Sequence, residues 1–298
     1  MKKEINGIIP PVITTFDSKG KVDERRYRDF IEFLCNHVQG LFICGTYGSG
    51  PLMTLEERKR TLEIAIDQVN GRIPVIAHVG SAVPEYVLEL VHHAEEKGAS
   101  AVASVPPFYY NYSQENIIDF FKWLVKQVNL PVYLYNIPKT TGLDIKIETL
   151  KELSNNGLAG VKDSTFDLAY FYEVKNNFNF EEFSYISGAE SFIIPTIPLG
   201  ADAAICGLAN AFPEIVAELY NKTMAKEYEE AFILQKKVNQ LREIRDYAQS
   251  IPAIHAMLKM RGIESGYPKK PFKLISEEKY NEVKKALTDG GYIGYKKE

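Results

Sequence analysis

The sequence predicts a single (β/α)8 barrel with a C-terminal helical extension. Three observations carry that prediction. Eight short β-rich runs recur, each followed by a helical pattern, at a period of roughly 30 residues. No composition shift marks a boundary before residue 224, and beyond it the pattern is helical only. Alternating strand and helix implies parallel strands joined by helical crossovers, and eight such units close a barrel rather than an open sheet. The 298 residues then divide into the barrel over 1–224 and a helical domain over 225–298.

The strand candidates are Gly7–Thr15, Leu41–Gly45, Ile73–Val79, Ala101–Val105, Pro131–Asn136, Ala159–Lys162, Phe183–Ser187 and Ala203–Cys206. Between the first two, Asp23 is placed to cap a helix whose apolar positions Tyr27, Phe30, Ile31, Leu34 and Val38 follow the i, i+3, i+4 rule. Thr54-Leu55-Glu56-Glu57 is a capping box that opens the second helix. Pro84 suits the first turn of the third, where its missing N–H has no partner to lose. Ile117, Ile118, Phe121, Val125 and Val128 stripe the fourth. Beyond the barrel, Glu227–Gln249 and Pro252–Arg261 read as helices. A Gly-Tyr-Pro-Lys-Lys-Pro turn region follows, then a last helix near Glu277–Leu287.

Hydrophobic residues make up 45% and charged residues 25%, as in globular chains that bury a sizeable core. A formal net charge of -4 leaves no basic excess to neutralise phosphates, so neither nucleic acid nor an anionic membrane is the expected partner. A small molecule is. Met1-Lys2-Lys3-Glu4 runs into an apolar segment broken by Pro10 and Pro11, too short for a signal peptide or a span, and the expected location is cytoplasmic. Cys35, Cys44 and Cys206 are odd in number and widely spaced, so they read as small core hydrophobes rather than disulfide or zinc partners. His37, His78, His92, His93 and His255 lack ligand spacing, and no metal is expected.

Barrels of this kind carry their chemistry at the C-terminal strand ends. There Lys162 closes the apolar run Leu158-Ala159-Gly160-Val161. Desolvation by barrel walls would depress its pKa and free the amine to attack a carbonyl, which suits Schiff-base chemistry; the bland alternative is a lysine that snorkels from the rim. One strand-and-helix unit earlier, Tyr135 ends Val132-Tyr133-Leu134-Tyr135. A phenol beside an iminium can relay protons, or it can be a plain aromatic wall. Gly45-Thr46-Tyr47-Gly48-Ser49-Gly50 has the spacing of neither a dinucleotide fingerprint nor a P-loop. Its backbone N–H groups and hydroxyl could cradle a carboxylate, or it could be an ordinary tight turn. Pro106-Pro107-Phe108-Tyr109-Tyr110-Asn111-Tyr112 is an aromatic-dense loop, which implies a subunit interface or a ligand pocket.

Together, Gly-Thr-Tyr-Gly at 45–48, Tyr-Asn-Ile-Pro at 135–138, Gly-Val-Lys-Asp at 160–163 and Ser-Gly at 187–188 resemble the dihydrodipicolinate synthase and N-acetylneuraminate lyase family, over residues 5 to about 270. The resemblance implies a homotetrameric enzyme that joins or cleaves pyruvate, with no cofactor beyond a covalent imine on Lys162. It implies that Tyr135 shuttles protons and that Thr46 links it to a tyrosine lent by the neighbouring subunit, for which Tyr109 is the match. It places the pyruvate carboxylate at the Thr46-Tyr47 turn and lines the pocket with backbone groups of Gly188 and Ile205.

Two departures narrow the choice. Dihydrodipicolinate synthases carry an arginine after the Tyr-Asn-x-Pro segment, where Thr140 stands here. The turn at 45–51 instead resembles the Gly-Thr-Thr-Gly-x-Gly-Pro of archaeal-type 2-keto-3-deoxygluconate aldolases, and Gly160–Ser164 resembles their Gly-Val-Lys-Asp-Thr. That resemblance implies reversible cleavage of 2-keto-3-deoxygluconate, or a related sugar acid, to pyruvate and glyceraldehyde. Ser164 and Glu190 would bond hydroxyls of the aldehyde half. Tyr47 stands where relatives have threonine, leaving only the backbone N–H for the carboxylate. Dihydrodipicolinate synthase or another pyruvate-dependent lyase is the alternative enzyme. A sugar-acid sensor on the same barrel is the non-enzyme alternative, against which the paired Lys162 and Tyr135 argue. Relatives that accept the phosphorylated substrate place an arginine shortly after the aromatic loop, where Asn111-Tyr112-Ser113-Gln114 offers none, so the resemblance implies a preference for the non-phosphorylated sugar acid unless Lys139, Arg242 or Arg245 reaches a phosphate.

Overall fold

The computed structural model describes residues 5–294. Its strands are β1 (Gly7–Ile9), β2 (Leu41–Ile43), β3 (Val75–His78), β4 (Ala101–Ser104), β5 (Val132–Asn136), β6 (Gly160–Asp163), β7 (Ser184–Ser187) and β8 (Ala203–Ile205). Neighbours pair in parallel in the order β1-β8-β7-β6-β5-β4-β3-β2. The remaining seam, β1 to β2, closes the (β/α)8 barrel. Pro10 and Pro11 have no N–H to give there, so the expected strand Gly7–Thr15 shrinks to three residues. The seam is carried by Gln39 N–H to Ile8 O at 3.0 Å, Phe42 N–H to Pro10 O at 3.0 Å and Val12 N–H to Phe42 O at 2.9 Å.

The helices are α1 (Glu24–Cys35), α2 (Leu55–Val69), α3 (Pro84–Lys97), α4 (Gln114–Val125), α5 (Pro138–Thr141), α6 (Ile147–Ser154), α7 (Leu168–Asn177), α8 (Ile193–Thr196), α9 (Pro213–Met224), α10 (Tyr228–Arg245), α11 (Ser250–Met260) and α12 (Glu277–Asp289). Asp23 caps α1 through the Arg26 N–H, and the Thr54 box closes in both directions with Glu57. Pro84 opens α3 as expected. The stripe on α4 is corrected: Ile117, Phe120, Phe121 and Leu124 form its buried face. Ile118 and Val125 lie at its edge, and Val128 falls beyond the last turn. Likewise α10 stops at Arg245, four residues short of Gln249.

Strand alternation divides the core in two. Side chains such as Ile9, Phe42, Ile76, Tyr133, Tyr135, Ile186 and Ile205 fill the barrel interior. Those at the intervening positions, such as Ile43, Leu134, Val161 and Tyr185, pack outward against the helices. The same alternation sends Lys162 inward and Asp163 outward. Among the described residues no helix is long and apolar enough to cross a membrane.

Candidate active site

Parallel pairing of β5 with β6 sets Tyr135 directly opposite Lys162. Both side chains enter the barrel, where Lys162 is 3% exposed. Its Nζ lies 3.1 Å from the centroid of the Tyr135 ring, 5.2 Å from that of Phe42 and 3.5 Å from Ser164 Oγ. Burial drives the amine well below the usual lysine pKa, while Asp163 and Cys206 pull weakly the other way. The shift favours the neutral amine, the form whose lone pair can attack a carbonyl. The π face beneath it favours the positive charge that appears when an amine becomes an iminium. Burial also raises the Tyr135 phenol pKa, and hydrogen bonds with the Thr46 and Ser164 side chains oppose the rise. Phenol, two hydroxyls and amine thus form one connected group able to pass a proton.

The turn at 44–50 brings Thr46 and Tyr47 to this group. Thr14 Oγ1 donates to Gly48 O at 2.8 Å and anchors the turn from β1's extension. Tyr47 lies over Gly207, where an added Cβ would come within 2.5 Å of the ring. Its hydroxyl accepts from Arg245 Nη1 at 3.4 Å. Gly188 is equally confined, since a Cβ there would stand 2.0 Å from Ser164 Oγ.

Glu190 is buried among cations. Its Oε1 is 3.2 Å from Arg245 Nη1 and 3.3 Å from Arg242 Nε, the latter out of line for a hydrogen bond. Arg245 turns its Nε and Nη2 to Asp246 at 3.0 and 2.8 Å. The Arg242 guanidinium lies 5.7 Å over the ring of Phe166.

A cavity of about 60 Å³ joins these groups, room for about four to six waters or a three-carbon keto acid. It is lined by Thr46, Tyr47, Tyr135, Lys162, Ser164, Gly188, Glu190, Ile205 and Arg245, all named from the sequence, Arg245 only as a possible phosphate partner. Tyr109 is not among them: it is 86% exposed, at φ 86°, with its ring edge-on to Tyr110. Lys139 and Thr140 are exposed on α5 and do not line the cavity either. Four lining residues escaped the sequence reading: Pro11, Phe42, Phe166 and Gly207. Gly207 carried a legible signal, a glycine just past the end of an apolar strand. Among the described residues no cluster of His, Cys, Asp and Glu could hold a metal ion.

Comparison with known proteins gives this geometry its family. The model of the dihydrodipicolinate synthetase family matches residues 4–289. A probable 2-dehydro-3-deoxy-D-pentonate aldolase of Escherichia coli K12 is 32% identical, covering 98% of this chain and 99% of its own. A 4-hydroxy-tetrahydrodipicolinate synthase of Methanocaldococcus jannaschii is 31% identical over 96% of this chain and 99% of its own. The solved structure of YagE from Escherichia coli K12, a member of the dihydrodipicolinic acid synthase family in complex with pyruvate, superposes with a TM-score of 0.92 at 26% identity, over 96% and 99% of the two chains. With its barrel, its buried lysine and matches of this extent, the chain belongs to the dihydrodipicolinate synthetase family and is a pyruvate-dependent class I lyase.

Proposed function

We propose that this lyase reversibly cleaves 2-keto-3-deoxygluconate, or a closely related 2-keto-3-deoxy sugar acid, to pyruvate and glyceraldehyde. The observation that carries the reading is the buried Lys162 amine stacked on Tyr135, its pKa pushed down, with polar groups for hydroxyls beside it; no arginine stands on α5 for an acidic aldehyde, and Arg245 of the cavity wall is engaged by Glu190 and Asp246. Lys162 attacks the 2-keto carbon, and Tyr135 gives its phenolic proton to the departing carbinolamine hydroxyl, so that water leaves an iminium beside a phenolate. That phenolate takes the proton of the 4-hydroxyl, the C3–C4 bond breaks, and its electron pair moves into the iminium to form an enamine. Glyceraldehyde departs, Tyr135 returns the proton to C3, and water releases pyruvate from Lys162. Ser164 and the remaining oxygen of Glu190 accept hydroxyls of the aldehyde half. Tyr109, exposed on its loop, completes the Thr46–Tyr135 pair of a neighbouring copy in a cytoplasmic homotetramer.

The test is twofold. Borohydride added with pyruvate is expected to inactivate the enzyme and leave a reduced pyruvate adduct on Lys162; an adduct on Lys139, or full activity in Lys162→Ala, overturns the assignment. A panel of aldehydes offered with pyruvate, followed by chiral product analysis, then separates the sugar-acid reading from dihydrodipicolinate synthase. Turnover with aspartate semialdehyde above that with glyceraldehyde favours the synthase.

A further inference from the structure

One buried group beside the site has no part in the chemistry above. His78 ends β3 with its ring in the barrel interior, 5% exposed. The rings of Phe42, His78 and Tyr135 form a triangle with centroids 5.9, 5.9 and 6.0 Å apart, and Tyr135 stands edge-on to both of the others. His78 Nδ1 is 3.2 Å from the carbonyl oxygen of Cys44. A carbonyl only accepts, so a hydrogen bond there requires the proton on Nδ1. Burial, Arg58 and Lys162 hold the imidazole well below the usual histidine pKa, hence neutral. Its Nε2 then carries no proton and has no partner among the described residues.

Cys44 is the residue at which β2 gives way to the turn, and its φ is 60°. Side chains other than glycine rarely take that left-handed conformation, and they hold it only where the surroundings impose it. The surroundings here are specific. His78 holds the Cys44 carbonyl, while the Cys44 thiol donates to the Arg58 carbonyl at 3.6 Å. Arg58 reaches back to β3, its Nη2 donating to His78 O at 2.6 Å and its Nη1 to Gly80 O at 3.0 Å. The turn so fixed is the one that presents Thr46 to Tyr135.

We infer that His78 is a positioning residue for the lyase reaction: its Nδ1–H bond to Cys44 holds the 44–50 turn in the strained form that presents Thr46. The inference rests on the reading of Tyr135 and Thr46 as the proton path. Its alternative is that His78 merely fills space.

His78→Phe keeps a ring and removes the donor. It is expected to lower kcat/KM for pyruvate about tenfold to a hundredfold, the scale of a sub-ångström to ångström misplacement, with the melting temperature near the native value. His78→Asn, whose amide N–H falls near the place of Nδ1, is expected to stay within about threefold of native. Adding C44G, which takes a left-handed φ without strain, is expected to restore part of the loss in H78F. Native turnover in H78F, equal losses in folded H78F and H78N, or no gain from C44G overturns the inference. Should H78F not fold, H78N decides alone, a loss beyond tenfold counting against it. Borohydride trapping on the native enzyme keeps the two readings apart. Failure to trap pyruvate on Lys162 removes the site assignment and this inference with it, whereas trapping in every variant leaves the outcome to the turnover numbers.

Discussion

Lys162 and Asp163 are neighbours in sequence, but their side chains leave the strand on opposite faces. Outside the barrel, the Asp163 carboxylate accepts from the Tyr185 hydroxyl at 2.8 Å and from the Thr165 hydroxyl at 3.0 Å. Burial outweighs these bonds and pushes its pKa up to about 6 from 3.8. A carboxyl whose pKa is raised by folding stabilises the fold while protonated, below about pH 4, and loses that contribution as pH rises through about 6. Asp163→Asn should therefore gain stability on the native protein between pH 4 and 7, by on the order of 3 kcal/mol for a two-unit shift. Urea midpoints of both proteins across that range check it; a constant difference would refute it. Lys162 and Tyr135 were legible in the sequence because each closes a short apolar strand, so alternation alone aims them inward. Phe42 and Phe166 were not, because their roles are steric and depend on which groups lie opposite.

At the scale of elements, all eight strands were legible, since each is a short apolar run bounded by turn residues. The end of β1 and the buried face of α4 were not. Proline's missing donor shortens the first, and a one-residue rotation of the buried face redraws the second. The partners of Glu190 were beyond sequence reasoning altogether, for they arrive on α10, more than fifty residues later. That helix bears on substrate choice. Arg245 is already engaged by Glu190, Asp246 and Tyr47, and Arg242 lies against Glu190 and Phe166. A phosphate would have to draw one of them from a buried carboxylate. The non-phosphorylated sugar acid should be preferred by roughly tenfold to a hundredfold in kcat/KM, the equivalent of about 1.5–3 kcal/mol for one charged contact. Equal values for the two substrates, or a preference for the 6-phosphate, would sink the expectation.

For the whole molecule, Tyr109 and Tyr110 are 86% and 67% exposed, an aromatic surface that a solitary chain has reason to cover. Tyr109→Phe should keep the assembly and lose about tenfold or more in kcat, while a charged substitution on the loop should shift the native mass toward smaller species. Full turnover from a monomer in analytical ultracentrifugation would refute the shared site.

The proline-broken join between β1 and β2 makes the barrel less a hoop than a bracelet with a clasp. Local opening begins where the fewest hydrogen bonds must break together. Deuterium uptake should thus reach Phe42 and Val12 before the amides of β5 and β6, so that the catalytic strands form the slow-exchanging back of the bracelet. The clasp also holds one end of the strand that leads into Cys44, so each opening would briefly take the Thr46 turn out of service while leaving Lys162 in place. Breathing at the seam then becomes a source of turnover-to-turnover variation that no change at the lysine could suppress.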